Sequence, residues 1–153
     1  MDSIPKIKRI KFTEKFILYD FKINDFRDSL VIFDDVDAET NKIKKKKIFD
    51  ILAMILNTGR HERVSVIFTS HLSCSGMETK LILSECHSIT IFVKNMGNRS
   101  LRYLLDSYFG LDKHQINYIK KINSRWVTLI KTYPSVLISE KEAIVLNTIT
   151  KDS

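Results

Sequence analysis

Leu30-Val31-Ile32-Phe33-Asp34-Asp35 runs four apolar residues straight into two adjacent carboxylates. A buried parallel strand that delivers acids to the rim of its sheet has this pattern. Open α/β sheets bind ligands beyond the carboxyl ends of their strands. An acid placed there holds Mg²⁺, usually through water, at phosphoryl-transfer sites. The bare pattern also fits a strand end followed by the Asp-rich turn Asp34-Asp35-Val36-Asp37.

Working outward, Val64-Ser65-Val66-Ile67-Phe68-Thr69 and Ser88-Ile89-Thr90-Ile91-Phe92-Val93 read as two further short apolar strands. Helical patterns lie between the three, over 40–58 and over 77–86. In the first, Ile48, Ile51, Leu52 and Ile55 share a face, and Gly59 stands where a helix cap belongs. Strands alternating with helices predict an α/β fold with βαβ units and a mainly parallel sheet. Leu101, Leu104, Leu105 and Tyr108 align on a helix from Asn98, which Gly110 closes. Asp112 with Gln115 three residues on predicts a capping box for a helix to Lys121. From Arg125 onward, three short strands joined by tight turns predict an antiparallel β meander at one edge of the sheet. Near the N-terminus, Ile7 to Phe12 and Phe16 to Phe21 are each expected as strands, and Asn24 to Ser29 as a helical turn. We expect one domain over 1–153, with an N-terminal segment (1–25), a core (26–148) and a tail (149–153).

Composition narrows the class. The chain has 153 residues, 44% of them hydrophobic and 28% charged, which suits a globular domain with a real core. No apolar run reaches the ~18 residues that span a bilayer, and no apolar stretch after Met1 resembles a signal peptide. A cytoplasmic setting with no membrane partner is therefore expected. His71, Cys74, Cys86 and His87 invite a zinc reading, but Cys86 and His87 are adjacent, and structural zinc sites favour separated ligand pairs. The net charge of +7 favours a polyanion partner, nucleic acid first, or describes only a basic, well-solvated surface. Lys44, Lys45, Lys46 and Lys47 are the candidate nucleic-acid contacts, again weighed against a solvated helix face. Arg60, on the loop after Gly59, and Arg99 with Arg102 carry planar donor forks suited to phosphate. Thr69 and Ser70 put hydroxyls at the end of the second strand, beside the expected ligand edge.

Three blocks in order carry a resemblance. They are 29–37, then Thr58-Gly59-Arg60-His61 with 64–71, and last Ser124-Arg125-Trp126-Val127 with Tyr133-Pro134. Together they resemble the second half of a P-loop ATPase, of the genome-packaging kind found in large double-stranded DNA viruses within the FtsK–HerA superfamily. The resemblance runs from Phe26 to Leu146. It implies Asp34 as the Mg-ATP acid of a Walker B strand and Asp35 in the place of the catalytic acid. Asp35 is one methylene shorter than the Glu common in such enzymes. The resemblance further implies Thr69 and Ser70 at the sensor position and Arg60 as a functional arginine. Double-stranded DNA, ring-type homo-oligomers, and a setting in the infected cell's cytoplasm or the virion follow from it too.

One motif is missing. The phosphate loop G-x-x-x-x-G-K-[ST] needs glycines spaced five apart and a lysine. Gly59, Gly76, Gly97 and Gly110 satisfy neither, and all follow the Walker B-like strand. In that superfamily the P-loop strand lies between the sensor strand and the strand after it. Here those are Val64–Thr69 and Ser88–Val93. Either these two strands pair directly, or an N-terminal strand fills the gap, or a second polypeptide supplies it. Mg²⁺ and ATP are accordingly expected only with a partner that bears the P-loop. The alternative is an inactive relative that binds DNA or an assembly partner through its basic face.

Overall fold

The computed structural model describes residues 7–71 and 77–146. Cys74, Gly76 and the tail at 149–153 lie outside the described residues. The fold is α/β, with a parallel strand pair, a C-terminal antiparallel meander and flanking helices. The chain divides into two compact units, 1–72 and 73–153.

The first unit contains α1 (Glu14–Leu18), β1 (Leu30–Phe33), α2 (Lys42–Thr58) and β2 (Ser65–Phe68). The expected strands at 7–12 and 16–21 do not form. Residues 7–12 carry no regular element, and α1 is a single helical turn. The reason lies in the aromatic spacing. Phe12 and Phe16 stand four apart and their rings meet at 5.0 Å, and Phe16–Phe21 and Phe21–Phe26 continue the stack at 5.3 and 5.8 Å. A spacing of four to five residues builds a cluster, whereas a half-buried strand needs a period of two.

Asn41 caps α2 by accepting from the N–H groups of Ile43 and Lys44 at 3.0 and 3.1 Å. Ile48, Ile51, Leu52 and Ile55 are buried on its inner face. Gly59 caps α2 as expected, its N–H donating to the Ile55 carbonyl, but without left-handed backbone, since its φ is −63°. Its missing side chain permits close approach instead, since a Cβ there would lie 3.1 Å from both Ile55 Cγ2 and Val64 Cβ. The chain passes through a 3₁₀ turn (Gly59–Glu62) into β2, which pairs parallel with β1 in the register Ile32↔Ile67.

The second unit contains α3 (Met77–Glu85), β3 (Ser88–Ile91), α4 (Asn98–Phe109), α5 (Lys113–Lys121), β4 (Val127–Ile130), β5 (Val136–Ser139) and β6 (Ala143–Val145). β3 ends two residues earlier than expected and takes the meander's β4 as an antiparallel neighbour, giving the order β3-β4-β5-β6. Ile91, Val127, Leu129 and Leu137 point to one face and join Leu101, Leu104, Leu105 and Ile119 in a core. Ser124 staples the start of β4 to the β5–β6 turn. Its hydroxyl accepts from the Glu140 N–H at 3.2 Å and donates to the Trp126 carbonyl at 2.6 Å.

The Asp112–Gln115 capping box forms as the sequence predicts. Gly110 is the left-handed residue that ends α4, with φ 61°. Nothing lies within 4 Å of a Cβ added there, so a substitution there costs conformational energy alone. Gly110→Ala should lower stability by about 1 kcal/mol, read from the denaturation midpoint at unchanged slope.

Candidate functional site

The parallel register places the carboxyl ends of β1 and β2 side by side. Thr69 N–H extends the ladder by donating to the Phe33 carbonyl at 2.9 Å. That contact holds the Thr69 hydroxyl beside the two acids. The hydroxyl donates to Asp34 Oδ1 at 2.6 Å and accepts from the Asp35 backbone N–H at 3.1 Å. One side chain therefore positions the Asp34 carboxylate and the backbone of the next residue.

Asp35 turns the chain sharply, with φ 51° and ψ 34°. Left-handed backbone is unfavourable for most side chains, and Asp is among the few that visit it. The turn thus gives a local reason for an Asp at this position. Such strained residues concentrate at functional sites. His71 Nε2 lies 3.6 Å from Asp35 Oδ1, and Ser70 Oγ donates to Asp37 Oδ2 at 2.6 Å. Lys45, from the first turn of α2, donates through Nζ to the Asp37 carbonyl at 3.1 Å.

The structure therefore gathers Asp34, Asp35, Thr69 and Ser70 at one edge. His71 and Asp37, from the same two strand ends, join them, and the structure adds Lys45 from α2. The contiguity of Thr69-Ser70-His71 was the signal for His71. Nothing local marks Lys45, which reaches the site only through the packing of α2.

Arg60 stands elsewhere. It precedes β2, at the amino end of the parallel pair, and is exposed. Around it Arg63 bonds Asp28 at 2.5 Å and Arg27 approaches Glu62 at 3.4 Å. The hydrogen bond from Arg63 is the main reason the Asp28 carboxyl titrates below its usual value. With the length of β1 and β2 between them, Arg60 does not reach the acids of its own chain. Arg99 and Arg102 are exposed on α4 in the other unit.

Among the described residues, no group of three or more His, Cys, Asp or Glu side chains is arranged to hold a metal ion. Cys86, half-buried, turns its thiol to the Leu83 carbonyl at 3.3 Å, and burial pushes its pKa up. The acids at the β1–β2 edge supply hard oxygen donors without a closed cage. Such a donor set suits a hard cation that keeps most of its own water, as Mg²⁺ does.

The lysine run does not form one face. Successive helix positions turn by about 100°, so Lys44 to Lys47 fan around α2. Lys45 is held at Asp37, Lys47 lies over the Phe21 ring at 5.9 Å, and Lys46 projects outward. No described helix is long and apolar enough to cross a membrane.

The relative is viral. Over 126 residues, 81% of this chain, the sequence is 40% identical to the protein named "Uncharacterized protein V3" of Sputnik virophage. The match covers 51% of V3, so the chain spans about half the length of this relative. No family model and no solved structure matches the chain.

Proposed function

We propose that this chain is the Walker B and sensor half of a viral DNA-packaging-type ATPase, which hydrolyses ATP only when another polypeptide supplies the phosphate loop. The Thr69 hydroxyl bridging Asp34 and Asp35 at the carboxyl edge of two adjoining parallel strands carries this reading. A strand-end acid locked by the neighbouring strand's hydroxyl is pre-oriented, as electrostatic catalysis requires.

In this reading Asp34 would hold the hydrated Mg²⁺, and Thr69 fixes the orientation of its carboxylate. Asp35, presented by the left-handed turn, orients the attacking water and accepts its proton. Ser70 lies beside them at the sensor position. Bound Mg²⁺ supplies charge neutralisation at the phosphates. Arg60, at the far end of the strands, or Arg99 on α4 serves a neighbouring subunit's site in a ring.

The test is ATP hydrolysis by the purified chain, alone and co-expressed with a polypeptide spanning the half of V3 outside the match. No turnover alone and Mg-dependent turnover together are expected. Mg-dependent turnover by the chain alone, abolished by Asp34→Asn, overturns the need for a partner. Inactivity of both preparations overturns the enzymatic reading.

A second reading, an inactive module that binds double-stranded DNA or an assembly partner, draws on the net charge of +7 and on outward-facing Lys46. Two or three phosphate contacts predict DNA affinity falling about 10- to 40-fold between 50 and 200 mM salt. Lys46→Ala should reduce the salt slope by about one. Lys45→Ala and Lys47→Ala should reduce it less, since both are engaged within the fold. Fluorescence anisotropy at several salt concentrations reads the slope, and binding indifferent to salt contradicts this account.

A further inference from the structure

Asp34, Asp35 and Asp37 follow the end of β1, and the consecutive residues Thr69, Ser70 and His71 follow the end of β2. Each residue of the second group meets one acid of the first. Thr69 donates to Asp34 Oδ1 at 2.6 Å, Ser70 donates to Asp37 Oδ2 at 2.6 Å, and His71 Nε2 lies 3.6 Å from Asp35 Oδ1. All of these side chains belong to the first unit.

The pairs are not equivalent. Asp34 and Asp37 are each held by a hydroxyl. The backbone of Asp35 is fixed by its left-handed turn and by the Thr69 hydroxyl, yet its carboxylate accepts no hydrogen bond from the described residues. The His71 side chain is 86% exposed and that of Asp35 51% exposed. An exposed pair of this kind adds little to stability, so the fold gives no reason for a histidine there. A rotation of the exposed imidazole closes the ~0.7 Å that separates the contact from an ordinary N–H···O hydrogen bond.

We infer that His71 is a positioning residue for Asp35. Its Nε2–H donates to Asp35 Oδ1, which leaves Oδ2 of the same carboxylate to face the attacking water. The inference rests on the proposed ATPase reading, in which Asp35 orients that water. A neutral imidazole with its hydrogen on Nε2 and an imidazolium both donate this bond, so the role needs no change of charge. An unheld aspartate exchanges between staggered rotamers, and a group that must meet a water in one geometry gains from being held in one.

Two measurements test the inference, and the first does not involve hydrolysis. In the chain alone, three-bond NMR couplings to Asp35 Cγ report whether the side chain keeps one χ1 rotamer. One rotamer is expected in the unaltered chain, averaging in His71→Ala, and one rotamer again in His71→Gln, whose amide retains a donor. Averaged couplings in the unaltered chain, or none changed in His71→Ala, overturn the inference. The second measurement is ATP hydrolysis by the chain co-expressed with the unmatched half of V3. His71→Ala should lower kcat about tenfold with KM changed by less than about twofold, and His71→Gln should restore kcat to within about threefold. Unchanged kcat in His71→Ala overturns the inference, and so does an equal loss in both variants, since the donor is then not what matters. A denaturation midpoint that falls in His71→Ala along with kcat makes the contact structural and also overturns it. Absence of turnover by the unaltered chain with its partner removes the enzymatic reading instead, and the couplings then decide by themselves whether His71 orients Asp35.

Discussion

Under the proposed function, Asp34→Asn should reduce Mg-dependent ATP hydrolysis by the chain with its partner on the order of 100-fold. The expectation follows from what the substitution keeps. Asparagine retains an oxygen to accept the Thr69 hydroxyl, so the contact that measures 2.6 Å survives and only the negative charge is lost. Losses of metal-orienting groups run about 10- to 100-fold, and a metal-linked acid belongs at the upper end. Stability should move by less than about 0.5 kcal/mol, because Asp34 is exposed. Thr69→Val removes the hydroxyl at nearly constant volume and frees both the Asp34 carboxylate and the Asp35 N–H. It should cost about tenfold in turnover. Steady-state kinetics beside chemical denaturation separates the two effects. A large stability loss in Asp34→Asn with proportionate loss of turnover would show Asp34 to be structural.

Leu129→Ala should destabilise the second unit by about 3 kcal/mol. Leu129 is fully buried at the centre of the meander, paired across strands with Ile89 and Leu137. Truncation removes buried methyl groups and leaves a cavity whose lining, the α4 leucines included, can collapse only in part. Since whole domains are stable by roughly 5–15 kcal/mol, the change is a large fraction of the total. Thr128 is the internal control. It lies on the opposite face of β4, where its hydroxyl meets that of Thr90 at 2.8 Å, and Thr128→Ala should cost about 1 kcal/mol or less. Equal effects of the two substitutions in urea denaturation would misplace the core.

Much of the local structure was legible because it is encoded within a few residues. The four-residue apolar run before Asp34 is β1. The spacing of Ile48, Ile51, Leu52 and Ile55 gives the inner face of α2, and Asp112 with Gln115 starts α5. The N-terminal aromatics misled because a short apolar stretch has no reliable period, and their rings were recruited into a cluster instead. Gly59 caps α2 as its place in the sequence predicts, and the packing of Val64, 3.1 Å from an added Cβ, supplies the need for glycine there.

The candidate site divides along the same line. Asp34, Asp35, Thr69 and Ser70 were each visible as polar residues ending apolar runs. That Thr69 locks Asp34 was not, because the two stand 35 residues apart and meet only through the parallel register. Nor was the separation of Arg60 from the acids, which follows from both strands pointing the same way. The apolar strands of the two sheets, the amphipathic helices and their caps follow from residue order, since they depend on side-chain periodicity and local hydrogen bonding, and so does the lack of a phosphate loop within these residues. That β3 joins the meander, that Lys45 turns inward to Asp37 and that, among the described residues, β2 pairs only with β1 emerge from the three-dimensional packing. Those outcomes depend on which surfaces find a partner in space, and no short window of sequence contains that information.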